Sequence, residues 1–310
     1  MSDKERQTYH RKGIFTVTQL SYTFRHRRRV GTKHDYALKA LAVRKNQIHI
    51  VGKIEWNLKG TLVYMDVEGD PERDFYYCIG IRVQSAEGLV ERAYRADAPA
   101  DEAKMWTECL LMIATIENAT IVHFGSYEAT FLQSMKKRYP DADHEDLVGR
   151  IISSAVNLLS MIYARVYFPT YSNGLKDIAG HLGFCWSEPT ATGLSAVRWR
   201  REWEISQELT LKQKPLTYNA EDCTAAQVVA DALSAVALRS SDVAANVVNV
   251  SSLKREYPRR FGEVDFALPE FQQINDAAQW DYQRDRIHLR IDPRRKRRAQ
   301  KTTVRPNSLQ

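Results

Sequence analysis

The stretch "TLVYMDVEGDP", Thr61 to Pro71, runs five apolar or β-favouring residues into an aspartate, adds a valine, and reaches a glutamate before a Gly-Asp-Pro turn signal. In an extended chain successive side chains alternate between faces, so Asp66 and Glu68 project together while Val67 turns into the core. Like charges that close repel. Two acids side by side at a strand end are accounted for when a divalent cation lies between them, and Mg²⁺ and Mn²⁺ favour such oxygen ligands. The plainer alternative puts Glu68 already in the turn "EGDPERD", simply solvated.

Downstream, "FYYCIGIRV" and "LVERAYR" follow at short spacing, and the three runs read as an antiparallel meander. The segment Asp101 to Glu117 places Met105, Cys109, Met112 and Ile116 on one helical face. A short strand, Ala119 to Phe124, and a helix from Tyr127 to Arg138 complete the order β-β-β-α-β-α, an antiparallel start joined to a parallel crossover. The remainder is mainly helical. Tyr171 to Phe184 has Asn173 as N-cap and Gly183 as stop; "SAVRWRREWEISQELT" carries Trp199 and Trp203 at i, i+4; Tyr218 to Leu238 is the last strong helix. Before the meander lie a short helix within Gly13 to Phe24, capped by Thr16 or Thr18, and another with Ala37 to Val43 as its apolar part. "SSDVAANVVNVSS" reads as a hinge, and the rest to Gln310 as irregular and basic. The expected fold class is α/β, a mixed sheet of meander plus parallel crossover strands flanked by helices. The expected division is a basic segment with short helices at 1–59, a domain at 60–238, and a basic extension at 239–310.

The chain has 310 residues, 44% hydrophobic and 10% aromatic, enough apolar material for a packed core. Its net charge of +7 conceals a segregation. Residues 1–60 hold 14 Lys/Arg against 4 Asp/Glu, residues 61–250 hold 17 against 26, and residues 251–310 hold 14 against 8. Basic runs such as Arg25 to Arg29 and Arg294 to Arg298 suit a phosphate backbone, which makes nucleic acid the expected partner; the alternative is that they are solvated tails. Cys78, Cys109, Cys185 and Cys223 form no CxxC pair and suggest neither a zinc ribbon nor a disulfide framework. With no long apolar run and no signal-peptide core at the N-terminus, a cytoplasmic location without membrane contact is expected.

Two further sites join the first pair of acids. In "IVHFGSYEATFL" a strand ends at His123 and a helix opens near Tyr127 and Glu128, where an acid is favoured by the helix N-terminus or can turn towards a metal. In "YNAEDCTAAQVV", Tyr218 and Asp222 are one helical turn apart. Taken singly, Glu128 is a first-turn acid and "YNAED" an ordinary cap.

Together these residues resemble the DEDD, or DnaQ-like, exonucleases of RNase H-like fold. "DVE" is similar to that family's first motif, "HFGSYE" to the second with His123, Tyr127 and Glu128 in place of Asn, Phe and Asp, and "YNAED" to the third. More closely, residues 10–290 resemble the C-terminal part of the RecB-like nucleases; no PD-(D/E)XK-type half precedes residue 60, so the chain reads as a short version. The resemblance implies a 3′–5′ exonuclease acting on DNA or RNA, at a single strand or an end, by two-metal phosphodiester hydrolysis. It implies two Mg²⁺ or Mn²⁺ ions on Asp66, Glu68, Glu128 and Asp222, with Tyr218 orienting the attacking water. A separate RecB-like nuclease or helicase is a further implied partner. Asn157 stands where relatives often have an acid, and Glu128 is one methylene longer than the usual aspartate. Expected substrate contacts are His123, Tyr127, Asn157 and Lys176. Base stacking by Trp186, Trp199 or Trp203 competes with packing roles, Arg198 is a further phosphate candidate, and Glu221 and His181 read as surface and structural groups. The first rival is a catalytically weak or inactive RNase H-like module that binds nucleic acid in a larger DNA-processing or mobile-element assembly. The second is a protein-binding scaffold.

Overall fold

A computed structural model describes residues 1–25, 33–56, 58–85, 88–140, 145–238, 246–253, 270, 271 and 274. Phe15–Glu256 make one compact unit; the helix α1 (Asp3–Arg11), capped by Ser2 with a reciprocal bond from Glu5, belongs to another. The basic clusters at Arg25 to Arg29 and Arg294 to Arg298 lie, except for Arg25, outside the described residues.

Within the larger unit, α2 (Val17–Ser21) starts at Thr16, whose hydroxyl caps the Gln19 amide, and α3 (Tyr36–Lys45) starts at Asp35 and ends on Asn46 in the left-handed region. The main sheet follows: β2 (Thr61–Asp70), β3 (Phe75–Ser85), β4 (Gly88–Arg95), β5 (Ala119–His123) and β6 (Val156–Asn157), in spatial order β4-β3-β2-β5-β6. β2, β3 and β4 pair antiparallel, and β2-β5 and β5-β6 pair parallel. This is the mixed sheet that the sequence predicts, with β6 as a further strand where the sequence reading expected mainly helix. Its crossover helices are α4 (Glu102–Ala114), α5 (Tyr127–Arg138) and α6 (Glu145–Ser154).

Alternation along β2 divides the core. Val63, Met65 and Val67 pack with Ile79, Trp106, Leu110 and Phe131 on the side of α4 and α5. Tyr64 faces the other way, with Val122, Ile178, Trp199, Ala226 and Leu233, beneath α8 (Leu175–His181), α9 (Gly193–Ser206) and α10 (Leu209–Leu238). Both faces of the sheet are therefore covered, and Glu68 and Asp70 on β2 are drawn out of water, with Asp66 half-buried.

Several expectations are corrected. The buried stripe of α4 is completed by Trp106, Leu110 and Ile113, while Met112 and Ile116 are half-buried. α8 is preceded by Gly174, because the Asn173 side chain accepts a hydrogen bond from Lys39 Nζ at 2.8 Å instead of capping the helix. α10 begins at Leu209 and runs through a buried Pro215, tertiary packing outweighing the missing N–H. A second sheet was not foreseen: β1 (Ile48–Ile50) pairs antiparallel with β7 (Val166–Tyr167) and parallel with β8 (Val247–Asn249), β7 following the short helix α7 (Leu158–Ile162). Thus the later part of the expected hinge is a strand, while residues 239–245 lie outside the described residues.

One glycine sets how closely α10 approaches β3. A Cβ on Gly80 would lie 1.9 Å from Asn219 Oδ1 and 3.0 Å from Cys223 Sγ. Gly80→Ala should therefore destabilise the fold by about 1–3 kcal/mol through overpacking, read from the urea midpoint at unchanged slope; an unaltered midpoint would show that α10 is not held there.

Candidate metal centre

The pairing of β2 with β5 stops at Tyr64 opposite Val122, whereas its pairing with β3 continues to Asp70. Asp66 and Glu68 stand on the stretch beyond β5, opposite Gly80 and Cys78. They share a face as the alternation requires. They lie within a ten-residue strand, not at its end, and Glu68 belongs to the strand and not to the turn; the register with β3 shifts only between Glu68 and Gly69. Across this face runs α10, whose buried side carries Tyr218, Asn219, Asp222 and Cys223. One carboxylate oxygen from each of Asp66, Glu68 and Asp222 lies within 4.8 Å of the others.

Burial, and then the charges of Asp222, Glu68 and Glu128, push the Asp66 carboxyl well above its usual range, against a hydrogen bond from Asn219 Nδ2 to Asp66 Oδ2 at 2.6 Å. Glu68 is raised well above its ordinary value by burial and by the charges of Asp222 and Glu128. Asp222 is pushed up to about 6 by burial, although the Trp186 indole, Lys176 and the Tyr218 hydroxyl all favour its ionised form. Trp186 Nε1 donates to Asp222 Oδ1 at 2.7 Å. Buried carboxylates that hold protons this tightly lack positive charge. A hard divalent cation with oxygen ligands fits this donor set.

Glu128, in the first turn of α5, stays outside the triad. It acts electrostatically on Asp66 and Glu68, yet its Oε2 lies 3.4 Å from Nδ1 of the buried His123. Tyr218 is buried one turn before Asp222. Lys176 Nζ donates to the Ala191 carbonyl and lies 4.8 Å from the Tyr218 ring centroid and 5.3 Å from that of Trp186. The Tyr127 hydroxyl lies against Gly69, and its ring meets Tyr76 edge-on. Asn157 Oδ1 accepts from the amides of Gly125 at 3.1 Å and Leu159 at 2.9 Å, shaping the loop between β5 and α5. Trp199 and Trp203 are buried, Arg198 pairs with Glu202, and Glu221 accepts from the Ser187 amide at 2.9 Å. His181, on α8, has its imidazolium disfavoured by burial and by Lys39.

The sequence reading missed two contacts. Asn219 was within reach of it, being three residues before Asp222 and hence on the same helical face. Trp186 comes from a loop far from the motifs, and no local spacing announces its bond to Asp222.

A family model described as the RNase H superfamily matches residues 63–234, spanning all three carboxylates of the cluster. No curated protein and no solved structure matches the chain.

The raised carboxyls set the direction of a pH effect. A group whose proton is held more tightly in the native state stabilises that state below the unfolded range, near pH 4, and loses this as pH rises through about 6. In chelator, Asp222→Asn should gain about 2 kcal/mol over the wild type at pH 7.5 and less at pH 5. Mg²⁺ or Mn²⁺ should raise the wild-type melting temperature at pH 7.5 and leave the variant's unchanged. A wild type indifferent to both ions would rule out the cation site.

Proposed function

As the chain belongs to the RNase H superfamily, we propose that it is a metal-dependent nuclease, in finer terms a DEDD-type 3′–5′ exonuclease acting on DNA or RNA. The observation that carries this is the convergence of Asp66, Glu68 and Asp222 within 4.8 Å on a helix-covered face. These three would hold the cation, and Glu128 is the nearby acid available for a second. With Mg²⁺ or Mn²⁺ bound, such a site gains Lewis-acid polarisation of a phosphoryl oxygen and a more acidic water.

The chain's own residues supply orientation and charge. Tyr218, buried beside Asp222 with its phenol made less acidic by burial and by that carboxylate, keeps its proton on a hydrogen bond to Asp222, and its oxygen can accept a hydrogen bond from a water and so position it. Lys176, over the Tyr218 ring, supplies a positive charge that acts on Asp222 and suits a phosphate oxygen. Burial under α10 keeps bulk water from screening these charges.

One observation favours a second reading. Glu128 lies 3.4 Å from His123 Nδ1 and outside the triad, as suits a module that binds nucleic acid and cleaves it weakly or not at all.

An end-labelled single strand incubated with Mg²⁺ or Mn²⁺ separates the two. The nuclease reading expects stepwise shortening, reduced at least about 100-fold by Asp66→Ala and by Asp222→Ala. A similar loss in Glu128→Ala would assign that residue to catalysis. Retained binding with no shortening in the wild type selects the binding module.

A further inference from the structure

Two buried side chains that take no part in the proposed hydrolysis spend their N–H groups on the acidic cluster. Trp186 Nε1 donates to Oδ1 of Asp222 at 2.7 Å, and Asn219 Nδ2 donates to Oδ2 of Asp66 at 2.6 Å. Neither donor is charged, so neither removes the need for a cation. Neither is free to swing. The Trp186 indole meets Phe184 edge-on at 4.7 Å between centroids, and Asn219 is fully buried against Gly80, where no side chain intervenes.

Each donor thus claims one oxygen of its carboxylate, the Tyr218 hydroxyl being a further partner of Asp222, and a carboxylate held this way is biased towards presenting a single oxygen to a metal. Mg²⁺ takes near-ideal octahedral geometry at about 2.0–2.1 Å and is content with single oxygens plus water; Ca²⁺ gathers about 6–8 oxygens at about 2.3–2.6 Å, often through two-oxygen carboxylate binding. Resting on the reading of the cluster as a cation site, we propose that Trp186 and Asn219 are positioning residues that hold Asp222 and Asp66 for one-oxygen coordination and thereby select a small octahedral cation over Ca²⁺. Their contribution lies in the choice of ion, beyond the packing of α10.

The test uses the 310-residue chain stripped of metal. Mn²⁺ binding is followed by loss of the free-ion electron paramagnetic resonance signal, with Mg²⁺ and Ca²⁺ as competitors, for wild type, Trp186→Phe, Asn219→Ala and Asp222→Ala. Trp186→Phe keeps a ring against Phe184 while removing the N–H donor together with part of the buried indole. Each positioning variant should weaken Mn²⁺ and Mg²⁺ binding about 10–100-fold and Ca²⁺ binding much less, so that the Mg²⁺-to-Ca²⁺ preference narrows. Near-ultraviolet circular dichroism in chelator checks that the variants fold, and should Asn219→Ala fail there, Trp186→Phe decides alone. A Trp186→Phe protein whose Mg²⁺-to-Ca²⁺ ratio equals the wild type's, or which loses both ions to the same extent, would overturn the proposal and leave the indole a packing group. A wild type that binds none of the ions, or an Asp222→Ala protein that binds them all as well as the wild type, would instead bring down the cation-site reading and this inference with it.

Discussion

Charge repulsion under a helix is the constraint around which this fold is arranged. Two unit charges within 4.8 Å repel by about 3 kcal/mol or more at the effective dielectric of a protein interior, and Asp66, Glu68 and Asp222 make three such pairs. The chain answers with two neutral donors, Asn219 and Trp186, and one cation, Lys176, which together leave all three carboxyls shifted towards their protonated forms. A fold of marginal stability does not keep such a cluster for its own sake. Strain retained in a covered pocket is an argument for a ligand that relieves it.

The surrounding packing holds the cluster against its own repulsion. On one side of β2, Val63, Met65 and Val67 are locked into the core with Trp106 and Phe131. Past the cluster, Arg201 grips the buried Asp70 with two hydrogen bonds at 2.8 and 2.9 Å and reaches Glu72, tying the end of β2 to α9. Arg200, fully enclosed, donates to the carbonyls of Ala96 and Asp97. The segment before the main sheet also bears on the site. Lys39 of α3 is bonded to oxygens of Phe168, Thr170, Ser172 and Asn173, and so fixes the loop from which α8 starts. α8 carries Lys176, so a buried lysine near the N-terminus helps set a cation beside Asp222.

Legibility from sequence followed the range of the interactions. Strand alternation from Thr61 and the helical repeat from Tyr218 are local, and both survive unchanged: Asp66 and Glu68 share a face, and Tyr218 and Asp222 share another. The order of the main strands was likewise readable, since short turns force the meander and a helix between β4 and β5 permits the parallel crossover. What escaped notice depends on distant partners. β1 becomes a strand only because Val166–Tyr167 and Val247–Asn249 flank it, and no three-residue run specifies that. Asn173 is a plausible cap until a lysine from α3 takes its oxygen. Trp186 offers an aromatic ring to any reader of the sequence, but the atom that meets the cluster is the indole N–H, whose partner is 36 residues away.

The pair formed by His123 and Glu128 bears on how many cations the proposed site can serve. Both side chains are almost fully enclosed, at 3% and 5% exposure, and Nδ1 of one faces Oε2 of the other at 3.4 Å. Neither atom has a hydrogen-bond partner among the described residues, so this near contact is the local compensation each receives. A glutamate has one more torsion than an aspartate and can either lean on His123 or extend towards Asp66 and Glu68, whose charges repel it unless a cation lies between. A cation on the triad would relieve that repulsion, so the charge carried by Asp66 and Glu68 governs how near Glu128 can come.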